Sequence, residues 1–300
     1  LLASVGAPVA RHTAPRPVRR LLLQEKWKMF TSQTVLSVKH WTPELFSFSL
    51  TRPNGFKFQS GQFVMLNLPE KNGYQPKPRA YSITSPDYAE ELEFLSIVAP
   101  DGQLTSHLKD IQPGDQVLVG GKPTGSLVHA ALTPGKNLFL IGTGTGIAPW
   151  LSIGRDIYTY GDEDLGIERK FDRVFLCHGV RFERELCYRD FLERDIFEAE
   201  ILGAIVRDRL HYYPSVTRED FVRTGRLTDL ISSGKMFRDF GLDQTQFNPE
   251  TDRVMICGSI PVNHAMKDIC LAHGLHEGST HRPGTFVVER AFVDTSPAAT

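Results

Sequence analysis

Cysteine is scarce in this 300-residue chain and poorly spaced for metal. Cys177, Cys187, Cys257 and Cys270 form no CxxC pair and no four-cysteine ferredoxin pattern, so no zinc site or iron–sulfur cluster is expected. Sparse thiols also suit a reducing compartment. No apolar run approaches the roughly 20 residues that a bilayer helix needs, so no membrane association is expected. Internal repeats and low-complexity runs are absent, as is a helix-turn-helix or other recognisable nucleic-acid element. What remains is the composition of an ordinary soluble globular protein, 41% apolar and 23% charged. Its length allows two cores, since single domains usually run to about 100–200 residues.

The formal charge of −1 is unevenly spread. Residues 1–28 carry Arg11, Arg16, Arg19, Arg20, Lys26 and Lys28 against Glu25 alone, a local +5 that leaves −6 for the rest. An Arg-rich, acid-poor start of this kind reads either as an organellar transit peptide or as upstream sequence preceding Met29. Residues 1–29 are therefore set apart as an N-terminal extension.

Residues 30–132 read as short strands separated by turn residues: Val35 to Val38, Leu45 to Leu50, Phe63 to Leu68, Arg79 to Ile83, Leu92 to Val98 and Gln116 to Val119. This spacing predicts a small antiparallel barrel. Serines alternate with apolar residues in Leu45-Phe46-Ser47-Phe48-Ser49-Leu50, and Pro53-Asn54-Gly55 supplies a turn. Within the barrel, Arg79-Ala80-Tyr81-Ser82 places an arginine fork and a flat ring on one strand face. A guanidinium can grip a diphosphate, a phenol can stack on an isoalloxazine, and a serine hydroxyl can bond a ring heteroatom. In isolation the same residues fit a surface arginine and a half-buried strand tyrosine. Downstream, Asp101-Gly102-Gln103-Leu104-Thr105-Ser106 reads as a turn into a short helix through Leu108, either an anion-binding end or a capped turn.

At Thr133-Pro134-Gly135-Lys136 the pattern changes to strands alternating with helices, so residues 133–300 are read as a parallel α/β body. Strands are expected at Asn137 to Ile141, Arg173 to Cys177, His211 to Val216, Arg253 to Cys257 and Thr285 to Val293. Helices are expected near Glu183 to Glu193, Thr228 to Ser232 and Val262 to Ala272. Gly142-Thr143-Gly144-Thr145-Gly146 follows the first of these strands and precedes a helix with Pro149 in its first turn. Small residues there let a backbone approach a diphosphate, although the spacing is not G-x-G-x-x-G and a packing turn would look the same. Arg181, Arg218 and Arg226 follow successive strands, where arginines favour a phosphorylated adenosine ribose; Glu183 and Glu185 argue the other way.

With these elements in order, the chain from Phe30 to Val293 resembles the bacterial class of ferredoxin/flavodoxin–NADP⁺ reductases. Arg79-Ala80-Tyr81-Ser82 is similar to the family's flavin motif and Gly142 to Pro149 to its nucleotide turn. Val287-Val288-Glu289-Arg290-Ala291-Phe292-Val293 is similar to its terminal segment. The resemblance implies an antiparallel FAD-binding β-barrel followed by a parallel α/β NADP-binding domain. It implies hydride transfer between NADP(H) and FAD and single-electron exchange between FAD and a ferredoxin or flavodoxin, in a cytoplasmic monomer. By the same likeness Arg79, Ala80, Tyr81, Ser82, Ser96, Val98, Leu104, Thr105 and Ser106 would contact FAD. Gly144, Thr145, Gly146, Arg181, Arg218 and Arg226 would contact NADP. Ala291 would lie by the second flavin face with Phe292 over the adenine, and Cys257 and Glu289 would border the nicotinamide. Gly161 to Glu168, an acidic loop, and Ile260-Pro261-Val262, after Gly258-Ser259, depart from the pattern. An oxygenase reductase component and a flavin redox sensor without turnover remain alternatives.

Overall fold

The computed structural model describes residues 29–71, 77–99 and 102–290. Six antiparallel strands come first: β1 (Phe30–His40), β2 (Leu45–Thr51), β3 (Phe63–Asn67), β4 (Arg79–Ser82), β5 (Glu91–Ile97) and β6 (Gln116–Gly120). They lie in the order β4-β3-β6-β1-β2-β5, and a bridge between Ile83 and Phe94 brings the end of β4 back to β5. The sheet is thus a nearly closed barrel. Alternation fixes its interior: Phe46, Phe48 and Leu50 from β2, Leu92 and Phe94 from β5, and Val64 and Leu66 from β3 join one buried cluster. Gly55 takes φ +72° in the expected turn, which Phe56 N–H closes onto the Pro53 carbonyl at 3.0 Å.

Five parallel strands follow: β7 (Asn137–Thr143), β8 (Arg173–Val180), β9 (Leu210–Val216), β10 (Asp252–Gly258) and β11 (Phe286–Arg290), in the order β11-β10-β7-β8-β9. Helix Leu227–Ser232 and helix Ile260–Ala272 lie where the sequence places helices, and Pro261 sits in the first turn of the latter. Among the described residues no helix is long and apolar enough to cross a membrane.

One expectation is corrected. Residues 183–193 do not form one helix. A single turn at Glu183–Glu185 ends, Tyr188 takes φ +60°, and a π-helical turn starts at Phe191. The break turns Tyr188 inward, where it packs on Trp41 with ring centroids 4.7 Å apart and donates to Glu93 Oε1 at 2.8 Å. Ser47 and Ser49 of β2 are buried as well; Ser47 accepts from Trp41 Nε1 and Ser49 meets Ser37 Oγ at 2.8 Å.

The seam between the bodies is both polar and packed. Leu45 and Leu95, from the outer faces of β2 and β5, join the same apolar cluster as Leu127, Leu140, Trp150 and Leu151. Ser152 donates to the Ser85 carbonyl at 2.7 Å, and Arg155 donates to the Thr84 carbonyl and pairs with Glu93 at 2.8 Å. Asp156 is buried on the same seam, accepting from Tyr158 N–H at 2.9 Å. Burial, reinforced by Asp87 of the barrel body, pushes its carboxyl up from 3.8 to about 6. Because the folded value is the higher one, the protonated carboxyl favours folding; that contribution is complete below pH 3.8 and is lost as pH rises through about 6. Asp156→Asn keeps an acceptor for Tyr158 N–H and removes the ionisation. Its stability relative to the parent is expected to rise by about 1–3 kcal/mol between about pH 4 and about pH 7 in urea unfolding. A difference independent of pH would contradict the buried-carboxylate assignment.

Candidate functional site

β4 stands at one edge of the barrel sheet, paired with β3 so that Tyr81 opposes Val64 and Ser82 opposes Phe63. Strand alternation puts Arg79 and Tyr81 on the same face. Tyr81 is buried; its hydroxyl lies 3.1 Å from Ser96 Oγ and its ring meets Phe94 edge-on. Among the described residues the Arg79 guanidinium donates only to its neighbour's carbonyl, on Pro78 at 3.4 Å, and has no carboxylate partner. A half-buried cation without a counterion is the chemistry that a diphosphate satisfies. Val98 and Leu104 lie at the adjoining end of the barrel, Leu104 buried. Thr105 Oγ1 accepts from Ala99 N–H at 3.1 Å, and Ser106 N–H is taken by the Gly102 carbonyl. The helix there is only Thr105–Leu108, and Asp101 lies outside the described residues.

The second half of the site is made where β7, β10 and β11 end together. The register pairs Cys257 with Gly142 on one side and with Glu289 on the other. Glycine is required at Gly146, where a β-carbon would stand 2.0 Å from the Cys257 carbonyl oxygen. A β-carbon on Gly258 would likewise fall 2.7 Å from Thr143 Oγ1. These buried glycines let the turn after β7 pack directly on the end of β10, with Gly144 exposed beside them.

Glu289 joins the halves. Its carboxylate accepts from the N–H of Ser126 and from Ser126 Oγ at 3.0 Å. A β-carbon on the intervening Gly125 would be 3.0 Å from Glu289 Oε1 and 3.3 Å from Phe63, the partner of Ser82. Ser82, Phe63, Gly125, Glu289 and Cys257 thus form one continuous wall. Burial raises the Glu289 carboxyl, opposed by the Ser126 and Leu127 donors. The Cys257 thiol is raised by burial and then by Glu289, so it is held as a neutral thiol, suited to lining a site rather than to nucleophilic attack.

Beyond β8 and β9, Arg218 N–H bonds the Arg181 carbonyl at 2.9 Å, so these two arginines are neighbours; Arg226 opens helix Leu227–Ser232. All three are exposed. The acids near them are already engaged. Glu185 accepts from Arg181 N–H and Phe182 N–H and pairs with the Arg181 guanidinium, while Glu183 pairs with Arg189 at 2.6 Å. Among the described residues, Arg218 and Arg226 have no carboxylate partner, as an anion site requires.

Several participants escape the sequence reading. Ser126 lies in a loop without a motif, and Asn263 of helix Ile260–Ala272 donates to the Glu289 carbonyl at 2.7 Å. Trp150 packs beneath Gly142. His178 is buried under the glycine turn, 2.9 Å from the Gly144 carbonyl oxygen; its one sequence signal is a histidine beyond the end of an apolar strand. Ala291 and Phe292 lie outside the described residues, as do residues 1–28 of the N-terminal extension.

Comparison with known proteins agrees with this architecture. A family model for the oxidoreductase FAD-binding domain matches residues 32–129. A flavodoxin/ferredoxin–NADP reductase of Rhodobacter capsulatus is 47% identical over 262 residues, covering 87% of this chain and 93% of that protein. A ferredoxin–NADP reductase of Pseudomonas aeruginosa is 47% identical over 264 residues, covering 88% and 98%. The crystal structure of a ferredoxin NADP⁺ reductase from Neisseria gonorrhoeae with bound FAD and NADP superimposes with a TM-score of 0.74 at 30% identity, over 88% of this chain and 99% of that one. With a flavin-type barrel and a parallel nucleotide-type sheet sharing one wall, and near-full-length identity of this order, the chain belongs to the ferredoxin–NADP reductase family.

Proposed function

We propose that this chain moves reducing equivalents between NADP(H) and a ferredoxin or flavodoxin through bound FAD. The observation that carries the reading is the wall from Ser82 through Glu289 to Cys257, which sets a flavin-type strand beside the carboxyl ends of a nucleotide-type sheet. When bound, FAD exchanges hydride with the nicotinamide and single electrons with the carrier. The chain's own task is to hold two flat rings face to face and keep water out.

Arg79 neutralises the FAD diphosphate, with Thr105 and Ser106 beside it. Tyr81 covers one face of the ring, its hydroxyl steadied by Ser96. Ala80, Ser82, Val98 and Leu104 complete that pocket. Gly144, Thr145 and Gly146 receive the NADP(H) diphosphate, and Arg181, Arg218 and Arg226 the phosphate on its adenosine ribose. Cys257 and Glu289 border the nicotinamide; Ala291 and Phe292 are assigned to the second flavin face and the adenine. The boundary between the two bodies is placed at residues 132–133. We place the protein in the cytoplasm, a reading supported by four buried, unpaired thiols. We take it as a monomer, since the large apolar residues exposed at Leu36, Leu165, Ile201, Val222 and Leu271 belong to separate elements.

Three outcomes are expected. Anaerobic stopped-flow mixing with NADPH should bleach the flavin band, and ferredoxin or flavodoxin added next should restore it. A protein that binds FAD but is not reduced by NADPH contradicts the enzyme reading. Tyr81→Ser should shift the flavin spectrum and slow its reduction, whereas Tyr81→Phe, which keeps the ring, should cost only about 1 kcal/mol through the lost hydroxyl contact; an unaltered Tyr81→Ser spectrum removes Tyr81 from the flavin face. Replacing both Arg218 and Arg226 by Ala should raise KM for NADPH by about tenfold to a hundredfold and leave KM for NADH unchanged. Parent enzyme that uses the two nucleotides equally well would refute the phosphate-binding role.

A further inference from the structure

His178 sits on β8, fully buried and beside Gly142 in the register with β7. Its Nε2 lies 2.9 Å from the Gly144 carbonyl oxygen and its Nδ1 lies 3.3 Å from the Tyr212 hydroxyl. A carbonyl oxygen can only accept, so Nε2 carries the hydrogen. Burial pushes the imidazole down to about 4, so at neutral pH the ring is uncharged and Nδ1 is an acceptor. Tyr212, whose hydroxyl is held protonated by burial, is then the donor to Nδ1. The two contacts select one tautomer.

The carbonyl so held belongs to Gly144, which opens the 3-10 turn Gly144–Ile147. Gly144 has φ +56°, and a β-carbon there would meet nothing within 4 Å. Glycine is thus required by backbone conformation and not by crowding. A glycine, lacking a β-carbon, also lets the following peptide rotate more readily than any other residue would. In a trans peptide the C=O and the next N–H point in opposite directions. With the Gly144 carbonyl pulled inward, the Thr145 N–H points outward, and an inverted peptide would present an oxygen to an incoming phosphate instead.

The geometry points to His178 as a positioning residue that keeps the Gly144 carbonyl turned into the fold and thereby aims the Thr145 N–H at the diphosphate of the nucleotide. Tyr212 acts one step further back, by fixing the tautomer that can do so. The role rests on the NADP(H) site proposed above, and it concerns only the diphosphate, since the adenosine phosphate is assigned to arginines elsewhere.

The test compares two probes by titration of the FAD-loaded protein: NADP⁺, which has the diphosphate, and adenosine 2′-monophosphate, which lacks it. His178→Leu is expected to weaken NADP⁺ by about tenfold, the equivalent of one strong hydrogen bond, and to leave adenosine 2′-monophosphate within about twofold of the parent. His178→Gln, which restores an N–H near the carbonyl, is expected to recover most of the NADP⁺ affinity. The role is overturned if His178→Leu binds NADP⁺ like the parent, or if it loses both probes in equal measure, which would mark a general distortion. If His178→Leu does not fold, Tyr212→Phe decides, with a selective NADP⁺ loss of about threefold expected and unchanged binding overturning the role. Parent protein that binds neither probe defeats the nucleotide site itself, an outcome distinct from either.

Discussion

Glu93 is the point on which the two bodies are hung. From the outer face of β5 its carboxylate takes Arg155 from one segment of the α/β body and Tyr188 from another, both at 2.8 Å. Each donor is partly buried, so each would be costly to leave unpaired. Around this contact Leu45 and Leu95 leave the barrel to join the core of the neighbouring sheet. The outer faces of β2 and β5 are thus covered around Leu45 and Leu95. The seam sets the distance between the strand that bears Tyr81 and the strand ends that bear Cys257 and Glu289. Two rings exchanging hydride need near-contact geometry, so a fixed seam is a condition for the chemistry.

Charge within the site follows a consistent division. Buried groups are kept neutral: the Cys257 thiol and the His178 imidazole lose their charged forms to desolvation. Glu289, raised in the same direction, is compensated by donors from Ser126 and Leu127. Positive charge is left where anions would arrive, at Arg79 on the barrel and at Arg218 and Arg226 beyond β8 and β9. Acids that would cancel it are tied into turns, as Glu185 is to the N–H groups of Arg181 and Phe182. With the rest of the chain near −6, this arrangement gives no general attraction for an acidic carrier, and any docking surface has to be local.

Much of this could be read beforehand. The strands of the described residues fall where period-two alternation or short apolar runs place them, because strand formation follows local side-chain pattern and turn residues. The glycine turn and the pairing of Arg79 with Tyr81 on one face were legible for the same reason. The segment after β8 was not. Its composition suits a helix, yet Tyr188 adopts φ +60° because its ring and hydroxyl gain Trp41 and Glu93, two partners more than ninety residues away.

The sequence by itself determined the elements, their order, the change from antiparallel to parallel architecture and the residue types available for a flavin and a nucleotide, since these depend on periodicity, turn chemistry and motif. Tertiary structure alone decided which polar groups are engaged and which are left for a ligand. It freed Arg218 by occupying Glu183 and Glu185 elsewhere, placed Ser126 on Glu289, and set His178 beneath the Gly144 carbonyl. Hydrogen bonds and desolvation act over a few ångströms in space, whatever the separation along the chain, so such assignments exist only once the chain has folded.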